Sequence, residues 1–438
     1  MHGPAPHKEL EIKLELASGS VGELKKHPLL RTQRAAPKHP IEVSVYFDTD
    51  THKLRKSSVM LRVRRVGGRY IQTIKASGNS APFERDEWEG EIGGEEPDLS
   101  LAKGTALEPI LTDKLRRRLA PLFETRVRRT IYRIGDDTHA IVLTVDRGTI
   151  DTGTRTLPLC EIELELERGT AARLFEVARE LTEALPARQA LKSKSQRGYE
   201  MIDGEQDSPA KAGSVDLPAA ASAREAFQMI GLACLKQIID NDLAVTKGDP
   251  EGVHQMRVGL RRLRAAMSLF RILLDDPQTA AIKAQLKWLT GELSPARELE
   301  VLVSRVIAPM RKRRRRWRGM PLLSQEIAER RDAALKRAQD VVVSARFRVL
   351  MLDVAAWLAR SFPGVQRRDT HLAPARACWP LMQINHGKYW NRTFQSTYPI
   401  GCAGALSLPY EHPVRAVELG SPPYPRFLLK PARRKDTG

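Results

Sequence analysis

The chain has 438 residues, with 72 Lys+Arg against 53 Asp+Glu and a formal net charge of +19. That length fits two or three domains, each able to bury its own core. At 42% hydrophobic and 29% charged residues the chain is too apolar for wholesale disorder. No run approaches the ~20 apolar residues of a membrane helix, so no membrane partner is indicated. The first thirteen residues lack the apolar stretch of a secretory signal. Four cysteines, Cys160, Cys234, Cys378 and Cys402, form no CxxC pair. They indicate neither a disulfide framework nor a zinc site, and a reducing cytoplasm is the natural compartment.

In chain order, Lys8 to Leu16 alternates strictly, with Glu9, Glu11, Lys13 and Glu15 on one face and Leu10, Ile12, Leu14 and Leu16 on the other. The same period of two predicts strands at 41–47, 60–66, 70–76, 85–92, 125–134, 139–146 and 159–166, with helices at 113–120 and 171–184. Turn signals such as Gly67-Gly68 and Asp136-Asp137 separate the strands. Eight mainly antiparallel strands suffice to close a barrel, and this unit takes residues 6–203. Residues 204–222, with Gly204, Pro209, Gly213 and Pro218, read as a linker. From Ala223 the period becomes helical, at 223–246, 251–275, 278–292, 295–311, 321–345 and 346–360. This is an all-α domain of helical hairpins over 223–362. Residues 363–438 hold ten of the 28 prolines and no sustained period, and read as an irregular tail. The fold class is α+β: an eight-stranded antiparallel β tunnel followed by an all-α domain.

Successive side chains of a strand point to opposite faces. The faces opposite the aliphatic ones carry Glu9, Glu11, Lys13, Arg62, Arg64, Lys75, Arg85, Glu87, Glu89, Arg126, Arg128, Asp146, Glu161, Glu163 and Glu165. A sheet with one solvated face accounts for this alternation. So does a closed sheet with the charged face inward, and the grouping of one charge type per strand favours it. Such a lumen suits a triphosphate: Arg and Lys bind phosphate oxygens, and carboxylates hold Mg²⁺ or Mn²⁺, without which they would repel a polyphosphate.

Glu9-Leu10-Glu11-Ile12-Lys13 resembles the ExExK signature of CYTH domains, or triphosphate tunnel metalloenzymes. Tyr46-Phe47-Asp48-Thr49, Leu61-Arg62-Val63-Arg64, Thr73-Ile74-Lys75, Arg85-Asp86-Glu87-Trp88-Glu89, Asp146-Arg147-Gly148, Glu161-Ile162-Glu163-Leu164-Glu165 and Lys192-Ser193-Lys194-Ser195 follow in that family's order. The resemblance implies a tunnel that hydrolyses or cyclises a triphosphate with a divalent metal. It makes Glu9, Glu11, Glu161 and Glu163 metal ligands or water-positioning carboxylates. It makes Lys13, Arg62, Arg64, Lys75, Arg85 and Arg128 holders of the triphosphate. Glu87, Glu89 and Asp146 match motif acids, and Lys192 and Lys194 a late basic pair. With Glu9, Glu11 and Lys13, those three acids form the expected catalytic set.

The charge balance shifts between the halves: residues 1–200 carry 34 Lys+Arg against 30 Asp+Glu, residues 201–438 carry 38 against 23. In the helical half, His254, Arg257, Arg261 and Arg264 form one stripe at i, i+3, i+7 and i+10. Residues 252–274 contain no carboxylate, so the stripe is a place for an anion. The segment resembles the opening signature of CHAD domains, and Gly291 to Leu302 the next motif, with Glu298 and Glu300 standing where Asp is expected. The resemblance implies polyphosphate binding through His254, Arg257, Arg261, Arg262, Arg264 and Arg297. A second His/Arg helix, usual in the family, is not found, so the domain reads as incomplete. Arg311 to Arg318 is the densest basic run and reads first as solvated surface; nucleic acid is a less favoured partner than a phosphate polymer. The resulting expectation is a cytoplasmic inorganic triphosphatase. Its rivals are adenylate cyclase or thiamine triphosphatase activity on the same tunnel, and a non-enzymatic polyphosphate-binding adaptor.

Overall fold

The computed structural model describes residues 7–31, 41–76, 84–205, 208–218, 221–313 and 319–360, with backbone alone at 7–9, 84 and 85. The predicted tail from 363 and residues 314–318 of the basic run lie outside the described residues.

Period-two alternation produces nine strands: β1 (His7–Glu15), β2 (Ile41–Asp48), β3 (Val59–Val66), β4 (Arg69–Ala76), β5 (Glu84–Ile92), β6 (Ala120–Gly135), β7 (Ala140–Asp151), β8 (Thr156–Arg168) and β9 (Arg188–Ala190). They run in the order β5-β4-β3-β2-β6-β7-β8-β1-β9, and β1 also pairs with β5. Eight antiparallel strands therefore close on themselves. The ninth is accommodated because β1 divides its pairing: His7–Leu10 face β5, Lys13–Glu15 face β9, and Glu11–Glu15 face β8. Gly148 is required where β7 crosses β6, since a Cβ there would lie 1.9 Å from the Arg126 carbonyl oxygen.

The outward aliphatic face is what closure protects. Ile12, Leu14, Leu143, Val145, Ile162 and Leu164 are buried against Leu174, Val177, Ala178 and Leu181 of α1 (Ala171–Ala184). Each large aliphatic side chain so buried contributes about 1.5–3 kcal/mol. Helix α2 (Lys194–Asp203) starts from a capping box at Ser193 and Gln196 and packs Tyr199 edge-on against Phe123, 5.5 Å between ring centroids. Gly198 permits that approach, as a Cβ would meet the Phe123 ring at 2.3 Å.

The helical half comprises α3 (Ala223–Ile239), α4 (Asp242–Thr246), α5 (Pro250–Leu269), α6 (Pro277–Leu302), α7 (Met320–Val343) and α8 (Ala345–Ala359). The single helix predicted over 223–246 breaks at Asp240 and Asn241. The two predicted over 278–292 and 295–311 are instead one helix through Pro295 to Leu302, continued by a π-turn at Val303–Ile307. The hydrogen bond lost to Pro295 is that of the Gly291 carbonyl four residues back. Gly291 is exposed, so its carbonyl is open to a donor from solvent in place of the missing Pro295 N–H.

The two halves share a core. Trp357 and Leu358 of α8 belong to the same buried cluster as Leu174 and Leu181 of α1 and Phe227 of α3. The segment read as a linker is tied down as well. Buried Asn241 donates to the Ala210 carbonyl (2.9 Å) and accepts from its N–H (3.0 Å), and Val215 is buried.

Candidate active site: a charged tunnel and a basic helix

Closure turns the charged parity inward around a cavity of about 700 Å³. Two cation–carboxylate groups build its wall, with Asp146 and Glu161 of the first buried behind the residues that reach the cavity. In the first, Lys13 Nζ lies 2.6 Å from Glu11 Oε1 and 2.5 Å from Glu163 Oε1. Lys194 Nζ, delivered by α2, contacts Asp146 and Glu163 at 2.8 Å and pairs with Glu161. Arg129 grips Asp146 with two parallel bonds of 2.7 and 2.6 Å and reaches Glu163 at 3.3 Å. In the second, Arg64 donates to Glu89 at 2.9 Å, Thr73 donates to the same oxygen at 2.8 Å, and Lys75 lies 3.1 Å from Glu87. Arg62 stands 3.8 Å from Glu87 and 3.7 Å from Glu89. Glu42 links the groups, 3.6 Å from Arg64 and 3.5 Å from Arg129.

These contacts set the ionisation states. Burial would raise the Glu163 carboxyl, but Lys13, Lys194 and Arg129 hold it well below the ordinary range. Burial would lower Lys194, and Asp146, Glu161 and Glu163 instead hold it well above its ordinary value. Lys13 is raised in the same way, burial being outweighed by Glu11 and Glu163. Arg64 moves the other way, lowered by burial and by neighbouring Arg62 despite Glu89 and Glu42. The Nε–H groups of Arg62 and Arg64 are buried without an acceptor. A lumen that crowds guanidinium groups and leaves such donors unmet can accept the oxygens of an anion.

The stripe on α5 is arranged differently. Burial lowers the His254 imidazole pKa, and Arg297, Arg261 and Arg257 lower it further against Glu251. Burial likewise lowers Arg257, with Arg297 and Arg261 adding to it and Glu298 opposing. His254, Arg257, Arg261 and Arg297 thus form one cluster of mutually repelling groups. Arg264 is exposed one turn on. Arg262 departs from the cluster: it donates to Gln237 of α3 at 2.9 Å and sits at a helix contact.

Domain profiles agree with both halves: that of the CYTH domain matches residues 7–199 and that of the CHAD domain residues 230–381. The chain carries a CYTH domain followed by a CHAD domain. A stretch of 164 residues, 36% of the chain, is 29% identical to an inorganic triphosphatase of Haemophilus influenzae. The match spans 44% of that relative's length. Among solved structures, the CHAD domain from the plant Ricinus communis is 34% identical with a TM-score of 0.32, covering 36% of this chain and 52% of that one. A Hippeastrum protein reported to have a dominant triphosphatase activity is 21% identical with a TM-score of 0.34, covering 44% and 96%.

Within the CYTH tunnel, Asp146, Glu161 and Glu163 each offer an oxygen within 4.8 Å of the others. An all-carboxylate donor set suits a hard divalent cation, and the residues present fit one. Asp146, expected among the catalytic acids, is part of this cluster; Glu11, an expected metal ligand, shares Lys13 with Glu163. Glu9 and Arg85 face each other in the β1–β5 register, but their side chains lie outside the described residues.

Two expected holders of substrate stand elsewhere. Arg128 is exposed on the outer face of β6, and Arg129 occupies the lumen. The alternation misleads there because Phe123, Thr125 and Val127 are buried on the lumen side, while Arg126 and Arg128 face water. Lys192 lies outside the tunnel, paired with Glu200 at 2.9 Å and lining a second cavity. Glu42, Arg129 and Arg197 are charges of this network that the sequence reading passed over; Arg129 lines the tunnel cavity and Arg197 the second one. Glu42 shares parity with Ser44 and Tyr46, and Arg197 lies three residues after Lys194 on one helix, so both signals were present.

Proposed function

We propose that the CYTH tunnel hydrolyses inorganic triphosphate with Mg²⁺ or Mn²⁺, and that the CHAD helices bind polyphosphate. The observation that supports this reading is that Arg62 and Arg64, with unmet Nε–H donors, line the same cavity as Glu163, the member of the carboxylate cluster Asp146, Glu161 and Glu163 that reaches it. Arg62, Arg64, Arg129, Lys13 and Lys75 hold the phosphate oxygens, Arg where two oxygens are gripped and Lys where one is. Glu161, Glu163 and Asp146 hold the cation, which when bound polarises the phosphoryl oxygens and offsets charge on the leaving phosphate. Glu87 and Glu89 face the lumen from β5 and orient the attacking water. Little covalent work falls to the protein, so positioning and electrostatics supply the rate. Inorganic triphosphate is preferred because a phosphate-chain module shares the polypeptide. Four cysteines with no CxxC pair support a cytoplasmic location.

The test is kcat/KM for inorganic triphosphate, ATP and thiamine triphosphate side by side, with metal and with EDTA. A preference for the inorganic chain, lost in EDTA, is expected. Faster turnover of either organic triphosphate would overturn the substrate assignment. No metal-dependent release from any of the three would leave a docking tunnel.

A further inference from the structure

A row of ion pairs leaves the tunnel and ends in the helical domain. It starts from a conflict of register: Glu15 of β1 stands directly across from Glu161 of β8. Two like charges at such a cross-strand position repel. One guanidinium nitrogen resolves this, since Arg197 Nη2 lies 2.7 Å from Glu15 and 3.0 Å from Glu161. On its other side Glu15 faces Arg188 in the β1–β9 register, and the two side chains are paired. The second arm of Arg188 reaches Asp242 Oδ1 at 2.6 Å, and Asp242 is the first residue of α4.

The row is largely shielded from water. Glu161 is fully buried, Arg197 and Asp242 are buried, and Glu15 and Arg188 are half-buried. Glu15, Arg188, Arg197 and Asp242 all line the second cavity, of about 520 Å³, to which both domains contribute. At low local dielectric the partition of charge along such a row matters more than at the surface.

We propose that Asp242 of the CHAD half is a positioning residue for Glu161 of the CYTH half, acting through Arg188, Glu15 and Arg197. This rests on the reading that Glu161 holds the divalent cation. With Asp242 present, Arg188 is shared and Glu15 keeps part of Arg197. Without it, Arg188 turns wholly to Glu15, and Arg197 turns to Glu161. There its guanidinium competes with a metal ion for the same carboxylate. The helical domain thereby sets the charge that Glu161 offers within the Asp146–Glu161–Glu163 cluster, with no contact of its own to the tunnel cavity.

The experiment is direct Mn²⁺ binding to the full-length chain, by the loss of the free-ion electron paramagnetic resonance signal, with thermal unfolding as a fold check. Asp242→Asn is expected to weaken Mn²⁺ about tenfold, the low end for groups that act on a metal through its ligands. Asp242→Glu is expected to restore the affinity. Arg188→Lys, which keeps the charge but cannot fork between two carboxylates, is expected to fall between wild type and Asp242→Asn, and serves if Asp242→Asn does not fold. Arg179→Ala removes a different pair between the halves, Arg179 with Asp353 at 3.4 Å, and is expected to leave Mn²⁺ affinity unchanged. Wild-type affinity in Asp242→Asn, or in Arg188→Lys should that variant alone fold, with weakened binding in Glu161→Ala, overturns the relay and leaves the metal reading standing. Wild-type affinity in Glu161→Ala overturns both.

Discussion

The tunnel and the α5 stripe are both basic, yet they treat charge in opposite ways. In the tunnel, Lys13, Arg64, Lys75, Arg129 and Lys194 each have a carboxylate within 3.1 Å. In the CHAD half, His254 and Arg257 lie beside Arg261 and Arg297, and burial together with those cations lowers the His254 and Arg257 pKa values. Paired charges are fixed in place before substrate arrives and need not reorganise, which is the arrangement catalysis rewards. An unpaired row gains by releasing condensed ions from a polyanion, which rewards length over shape. On the proposed function, the same residue types make a site for chemistry in one domain and a surface for capture in the other.

The largest expected effect breaks the tunnel side of this contrast. Glu163→Ala removes a carboxylate shared by three cations, and metal-dependent phosphate release should fall at least about a hundredfold. Arg129→Ala should cost a comparable factor, whereas Arg128→Ala should change kcat/KM by less than about twofold, since an exposed charge in water contributes little. Equal losses in the two arginine variants would mean that the lumen assignment on β6 is wrong.

That pair of variants also marks how far the sequence could be read. The charged parity of β1, β3, β4, β5 and β8 was legible because aliphatic residues occupy the opposite face without interruption. On β6 the rule fails: the outer face meets water near Arg126 and Arg128 and is covered only near Tyr132 and Ile134. Apolar residues there mark the lumen end of one stretch and the covered end of another. Lys192 and Lys194 share a parity only as a strand; observed, Lys194 opens a helix and Lys192 precedes it. The shared core of the two halves and the row from Glu161 to Asp242 depend on tertiary packing, which periodicity does not encode. By contrast, α6 runs through Pro295 with the residue four before it, Gly291, exposed to solvent, a property that local propensity rules leave out.

The stripe is tested by salt. Arg257→Ala and Arg261→Ala should each weaken binding to long-chain polyphosphate and lower the slope of log K against log salt by about one. Triphosphate turnover should be unaffected. A loss of turnover matching the loss of binding would merge the two sites that the contrast keeps apart.

The smallest effect is on stability. Burial raises Glu163, Asp146 and Glu15, but their paired cations more than reverse it, so all three are held below the ordinary carboxylate range. Each binds fewer protons folded than unfolded. Their stabilisation is full above that range and is lost as pH falls through the folded values. Asp242, whose carboxyl pKa is pushed up by burial to about 6, has the opposite sign and opposes them between about pH 6 and pH 4. Below about pH 4 the melting temperature of the metal-free chain should decline. A melting temperature that rises on acidification below that pH would mean the tunnel pairs are not formed.

Phosphate release from inorganic triphosphate by the full-length chain, measured against added Mg²⁺ or Mn²⁺, tests the central claim most directly. Saturable release that begins with metal and stops in EDTA is the predicted result. Release independent of metal, or none at any metal concentration with this substrate, would contradict the account of the paired tunnel as a triphosphate-hydrolysing site.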